Sequence, residues 1–338
     1  MYVDRVFKPT RIILASWLPI LSLIGWSSLV VSIYVFAEVK WIAIPWVPLT
    51  LVGIAVAFYL GFKNNSAYDR TWEARKIWGE IVNDSRTWGM MITGFVTDEF
   101  TKDPHSSDEL KEIRKRMIFR HIAWLYRLKR QLRVVKTWEH DKPLNHRYRK
   151  IFEDAFPSKE EQEELLDFLK QEEVDYMMSK SNVATQLLKR QSDDLTELKS
   201  KGLIDDFRHM ELERLLMNFY THQGKCERIK NFPLPRQYAS VSIYFCYIFI
   251  FLLPFGLISA FNSFDTQYIW GVVPFTTLIG WIFYMMELVG DYAENPFEAL
   301  AFDTPMTALT RTIEIDLKEM LDEENIPQAI VPVEGVLM

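Results

Sequence analysis

Four stretches of this chain contain no Asp, Glu, Lys or Arg: residues 12–37, 41–62, 238–264 and 266–286. All 39 Lys and Arg and all 45 Asp and Glu lie outside them, in the remainder of the 338 residues. Bulk composition hides this division, because 49% hydrophobic and 25% charged are ordinary values for a soluble domain. Each stretch reaches the roughly 20 residues that an α-helix needs to cross a bilayer core. Lipid leaves the backbone no water to bond with, so such runs read as helices. Soluble, secreted and nucleic-acid-binding readings are therefore set aside. The first stretch is longer than a signal-peptide core and a second follows at once, so no cleavable leader is expected. Two cysteines, Cys226 and Cys246, make no disulfide framework.

The expected fold is all-α, with four transmembrane helices and a large cytosolic helical region. Residues 1–64 hold the N-terminal segment and spans 12–37 and 41–62. Residues 65–235 form the cytosolic region, 236–290 hold spans 238–264 and 266–286, and 291–338 form a C-terminal helix and tail. The link Glu38-Val39-Lys40 makes the first two spans a hairpin. Pro19 and Gly25 are tolerated in a span whose neighbours re-satisfy the backbone. Trp41 and Trp46 stand where interfacial aromatics sit, and Pro45 and Pro48 where a missing N–H costs least. The charged middle is poor in Gly and rich in Glu, Lys, Arg, Leu and Met, and nothing in it alternates like a strand. Its helices are expected near 66–100, 108–137, 159–171, 183–200 and 203–230. Breaks fall at Asp103-Pro104, Lys142-Pro143, Phe156-Pro157 and Lys201-Gly202. Pro233 and Pro235 stop the last of these, a turn at about Asn262–Gln267 joins the later spans, and a tail helix covers 305–323.

Basic residues fix the orientation. Arg5, Lys8 and Arg11 precede the first stretch, Lys63, Arg70, Arg75 and Lys76 follow the second, and Arg228, Lys230 and Arg236 precede the third. The short links on the other side offer Lys40 against Glu38 and Asp265. Both termini are thus expected in the cytoplasm.

Catalytic chemistry finds no support. None of the six histidines lies in an apolar stretch, which removes a haem held between spans, and no charge sits mid-membrane to relay protons. There is no phosphate-binding loop, no dinucleotide turn and no His-Glu-x-x-His. No enzyme activity, cofactor or metal is expected. Ile54, Phe58 and Phe62 are spaced i, i+4, i+8 and share one helix face, while Gly53, Ala55, Ala57 and Gly61 let neighbouring helices approach. Such a face packs against lipid or the bundle core, or it lines a pore. One chain has too few spans to enclose a pore, so the second reading requires a ring of subunits. An apolar ring of that kind gates by dewetting.

The run Gly61-Phe-Lys-Asn-Asn-Ser-Ala-Tyr-Asp-Arg-Thr-Trp-Glu-Ala-Arg75 resembles the bestrophin channel family, in its bacterial branch. So do Gly224-Lys-Cys-Glu-Arg-Ile followed by Pro233-Leu-Pro235, Leu253-Pro-Phe, and Glu294-Asn-Pro-Phe297. The resemblance implies a homopentamer around one central pore, in the bacterial cytoplasmic (inner) membrane. Its partners would be further copies of itself, membrane lipid and the permeant monovalent ions. The family's three neck positions fall on Ile54, Phe58 and Phe62, with Phe58 in place of an expected isoleucine. A cytosolic aperture nineteen positions before Cys226 falls on Phe207, whose other reading is an ordinary buried helix residue. Asn295, Pro296 and Phe297 would stop a helix and turn near the neck. Asp69 and Arg70, just below the membrane, are expected to brace the region rather than bind an ion, pairing with each other's neighbours or with Arg75 and Glu73. The animal acidic cluster is reduced to Glu298 and Asp303, too few oxygens for a hard cation, so no calcium gating is expected. Bacterial members lean toward monovalent cations; chloride and bicarbonate conduction and a non-conducting membrane scaffold or sensor are the alternatives.

Overall fold

The computed structural model describes residues 1–7, 9–101, 104–140, 145, 149–150, 159–262 and 266–338. Lys8, Asp103, the Lys142-Pro143 and Phe156-Pro157 breaks and residues 263–265 of the expected turn lie outside the described residues, as does the side chain of Arg11. The helices are α1 (Pro9–Phe36), α2 (Trp46–Phe95), α3 (Ser107–Arg133), α4 (Glu161–Leu166), α5 (Gln171–Met178), α6 (Val183–Ser200), α7 (Asp206–Asn231), α8 (Arg236–Phe261), α9 (Val272–Ala293) and α10 (Met306–Glu319). Among the described residues extended pairing is limited to the isolated bridges Tyr2–Val336 and Val333–Val336. Among the described residues four helices are long and apolar enough to cross a membrane.

Three boundaries differ from expectation: a 3-10 helix covers Thr266–Gly271, so the last span's α-helix starts at Val272, and both ends of the second span differ. Residues 41–45 are not in α2: a short 3-10 turn covers Lys40–Ile42 and the helix starts at Trp46, since Pro45 disfavours helical geometry in its predecessor. At its other end α2 runs on without a break through 64/65, where a separate helix 66–100 was expected. The change from apolar to charged composition there carries no proline or Gly pair to interrupt the backbone, so one 50-residue helix forms. The expected helix 159–171 is instead two short ones, α4 and α5.

The chain divides into two compact units, Asp4–Arg70 with Pro233–Glu294, and Met1–Val3 with Thr71–Phe232 and Asn295–Met338. In the first, α1 packs on α9 and α8, and α8 on α9. Close approach is bought by small residues: a Cβ on Gly53 would stand 2.8 Å from Phe249, one on Gly280 2.8 Å from Leu23, and one on Gly256 would collide with Leu49. Trp26 Nε1 donates to the Phe251 carbonyl at 3.1 Å and Trp281 Nε1 to Ser16 Oγ at 3.0 Å. Large apolar side chains point outward, among them Ile13, Trp17, Leu18 and Leu21, which suits a lipid surround.

The second unit is built the other way round. The capping box of Ser106 and Glu109 starts α3, and its apolar face buries Met117, Ile118, Ile122, Trp124 and Leu128 among Trp78, Trp88, Leu187 and Phe219. Gly202 (φ +70°) ends the α6 turn, and a Cβ there would stand 2.9 Å from the Phe100 carbonyl oxygen, so glycine is required.

Candidate pore-lining site

Helix α2 presents two faces within the first unit. Gly53, Val56, Leu60 and Lys63 recur at i+3 and i+4 and are buried. The opposite face carries Ile54, Phe58 and Phe62, which are 63%, 68% and 58% exposed on the single chain. The phenyl rings of Phe58 and Phe62 meet edge to face, centroids 4.6 Å apart and planes at 88°, the arrangement the ring quadrupole favours. Two turns beyond Phe62 on that face comes Asp69, also exposed. Arg70, beside it, is half-buried.

Glu73 pairs with Arg228 of α7. Phe207 opens α7 behind the N-cap Asp205, whose carboxylate accepts from the Arg208 N–H at 2.7 Å. Its side chain is 81% exposed on the single chain.

Helix α9 stops at Ala293, before Asn295-Pro296-Phe297 as expected. Phe297 is buried in the core of the second unit, and the Pro296 carbonyl accepts from Thr304 N at 3.1 Å. The following carboxylates are engaged by the chain itself. Glu298 accepts from His140 N at 3.0 Å and lies 2.8 Å from His140 Nδ1. Asp303 accepts from Leu300 N at 3.1 Å, and burial, with Glu298 next, pushes its carboxyl up to about 7. Among the described residues no three His, Cys, Asp or Glu gather as a metal site.

One feature went unread in the sequence. Lys63, the residue after Phe62, is 2% exposed and paired with Glu287 of α9. Asn64 donates to the Met286 carbonyl at 3.0 Å. The signal was present: Lys63 continues the buried i+3/i+4 stripe, and a buried ammonium needs a carboxylate.

A profile of the bacterial/fungal bestrophin family matches residues 5–319. The chain belongs to that family. Among bestrophin relatives, the "voltage-dependent anion channel-forming protein YneE" of Escherichia coli strain K12 is 28% identical over 287 residues, covering 84% of this chain and 80% of the relative. A protein of the same description from Mesorhizobium japonicum is 27% identical over 287 residues, covering 85% and 78%. The crystal structure of a bacterial bestrophin homologue from Klebsiella pneumoniae superposes with a TM-score of 0.74 at 23% identity, covering 90% of this chain and 98% of the other. The fold is thus a bestrophin fold, and the chain is a membrane protein.

Proposed function

We propose that this chain is the subunit of a passive channel for small monovalent ions. Five copies surround one pore, with Ile54, Phe58 and Phe62 as its apolar neck and Phe207 at the cytosolic aperture. The observation that carries this is the outward face of α2: three large apolar side chains stand exposed while Val56 and Leu60 behind them are buried. A ring of such faces forms a constriction without fixed charge, which conducts when wet and closes when it dries. Membership of a channel family supports conduction over a scaffold role and over enzyme activity. The basic flanks favour an inner-membrane protein with both termini in the cytoplasm.

The names of the relatives favour an anion, against the cation expected from the resemblance. The cation reading keeps one observation of its own: in a ring of five, exposed Asp69 adds a circle of carboxylates below the neck. Purified protein in a planar bilayer under a KCl gradient tests both. A reversal potential at the chloride value supports the anion reading, and one at the potassium value overturns it. Phe58→Ala widens the neck and raises conductance; unchanged conductance with normal assembly removes Phe58 from the pore.

A further inference from the structure

The pore reading leaves open what aims the neck. An α-helix turns about 100° per residue, so fixing the direction of one side chain fixes that of the next. Lys63 is held on the buried face by Glu287, from a residue 224 positions away in sequence. The Lys63 side chain is 0% exposed and that of Glu287 10%. The second oxygen of Glu287 has no hydrogen-bond partner among the described residues, so the hold runs through Lys63 alone. One residue on, Asn64 donates to the Met286 carbonyl at 3.0 Å. Gly290, one turn along α9 from Met286, leaves the space that Asn64 fills, since a Cβ there would collide with Asn64 Oδ1. Two consecutive residues of α9, Met286 and Glu287, with Gly290 one turn on, therefore grip two consecutive residues of α2, immediately after Phe62.

We propose that Lys63, Asn64, Glu287 and Gly290 form a positioning clamp that sets the rotation of α2 about its own axis, and through it whether Phe62 and Phe58 turn face or edge toward the permeating ion. The proposal rests on the neck reading above. The clamp residues themselves touch no ion. An ion pair suits this task because its partners cannot separate without leaving a buried charge unpaired, whereas an apolar contact at the same place can slide. It also adds no net charge beside the constriction, so the neck's chemistry stays that of its rings.

The test is a cycle of channel recordings on full-length protein in planar bilayers under a KCl gradient. It compares the native chain, Glu287→Gln, Phe62→Ala, and both changes together. Glu287→Gln is expected to change single-channel conductance at least about twofold, the lower range of coupling between contacting groups, and to shift the reversal potential. In the Phe62→Ala background the same change is expected to have a clearly smaller effect, because only Phe58 is left to aim. An effect that persists undiminished there means the pair acts on the ion directly by its charge, and overturns the clamp. Native conductance in Glu287→Gln overturns it as well. Failure of the neck reading shows separately, as Phe62→Ala conducting like the native chain. Should Glu287→Gln not assemble, Lys63→Arg carries the same cycle, keeping the charge pair while altering its length.

Discussion

The two units of the chain solve the same packing problem with opposite materials. In the unit formed by residues 4–70 and 233–294, the core is apolar and its close contacts depend on glycines set against Phe249, Leu49 and Leu23. Its buried ion pair Lys63–Glu287 stands at the end of the apolar stretch rather than within it. In the other unit, buried charges thread the interior. Arg120, 1% exposed, holds Glu173 at 2.6 and 2.9 Å and also Asp194; Lys129 meets Glu164 at 3.1 Å; Lys230 meets Glu139; and neutral His121 sits among Trp88, Trp124 and Phe219 with Nε2 2.9 Å from Ser85 Oγ. Water outside a soluble unit supplies the hydrophobic drive, leaving room for costly polar networks inside. Lipid supplies no such drive between helices, so fit between small and large residues has to do more.

That contrast makes predictions of graded size. The largest concerns Arg120. Arg120→Ala leaves Asp194, 2% exposed, without its main partner, and is expected to cost about 3–5 kcal/mol, read as a lowered denaturation midpoint of the detergent-solubilised protein. An unchanged midpoint would mean that the polar network carries no weight. Next comes the membrane-type unit: Gly256→Ala drives a methyl group into Leu49 and is expected to cost about 1–3 kcal/mol by overpacking. A neutral or stabilising result would show that glycine-mediated fit is not what holds this unit.

The smallest effect is a pH dependence. Burial lowers His121 from 6.5 to about 3, so between those values the unfolded chain binds a proton that the folded one refuses. Stability from this group is complete above 6.5 and falls as the pH drops below it, by about 1.4 kcal/mol per unit. Thermal midpoints between pH 6.5 and 5.5 measure the slope, and His121→Phe is expected to flatten it by that amount. Equal slopes in both proteins would assign the acid sensitivity to other groups.

The sequence was legible where a property is local and periodic. Absence of charge marked the four spans, and the i, i+4, i+8 spacing of Ile54, Phe58 and Phe62 placed them on the face that the structure exposes. Two kinds of feature could not be read so. The length of α2 depends on nothing interrupting the helix where composition changes, and composition was mistaken for a boundary. Long-range partners were also hidden: Glu73 pairs with Arg228 and Lys63 with Glu287, because the local pattern admits several partners and only the tertiary fold selects these. Phe207 lay between the two cases, since the family resemblance, counted back from Cys226, pointed to the position but only its exposure separates a free ring from a packed one.

The distribution of indoles gives the molecule built-in optical reporters. Trp78, Trp88 and Trp124 are sealed in one core, each 0% exposed, while Trp17 and Trp41 stand outward at 49% and 84%. Collisional quenchers carried on lipid acyl chains or dissolved in water would therefore dim these two, together with the exposed Trp72 and Trp270, and spare the inner three. Emission compared with and without quencher then separates the exposed indoles from the sealed core of the second unit.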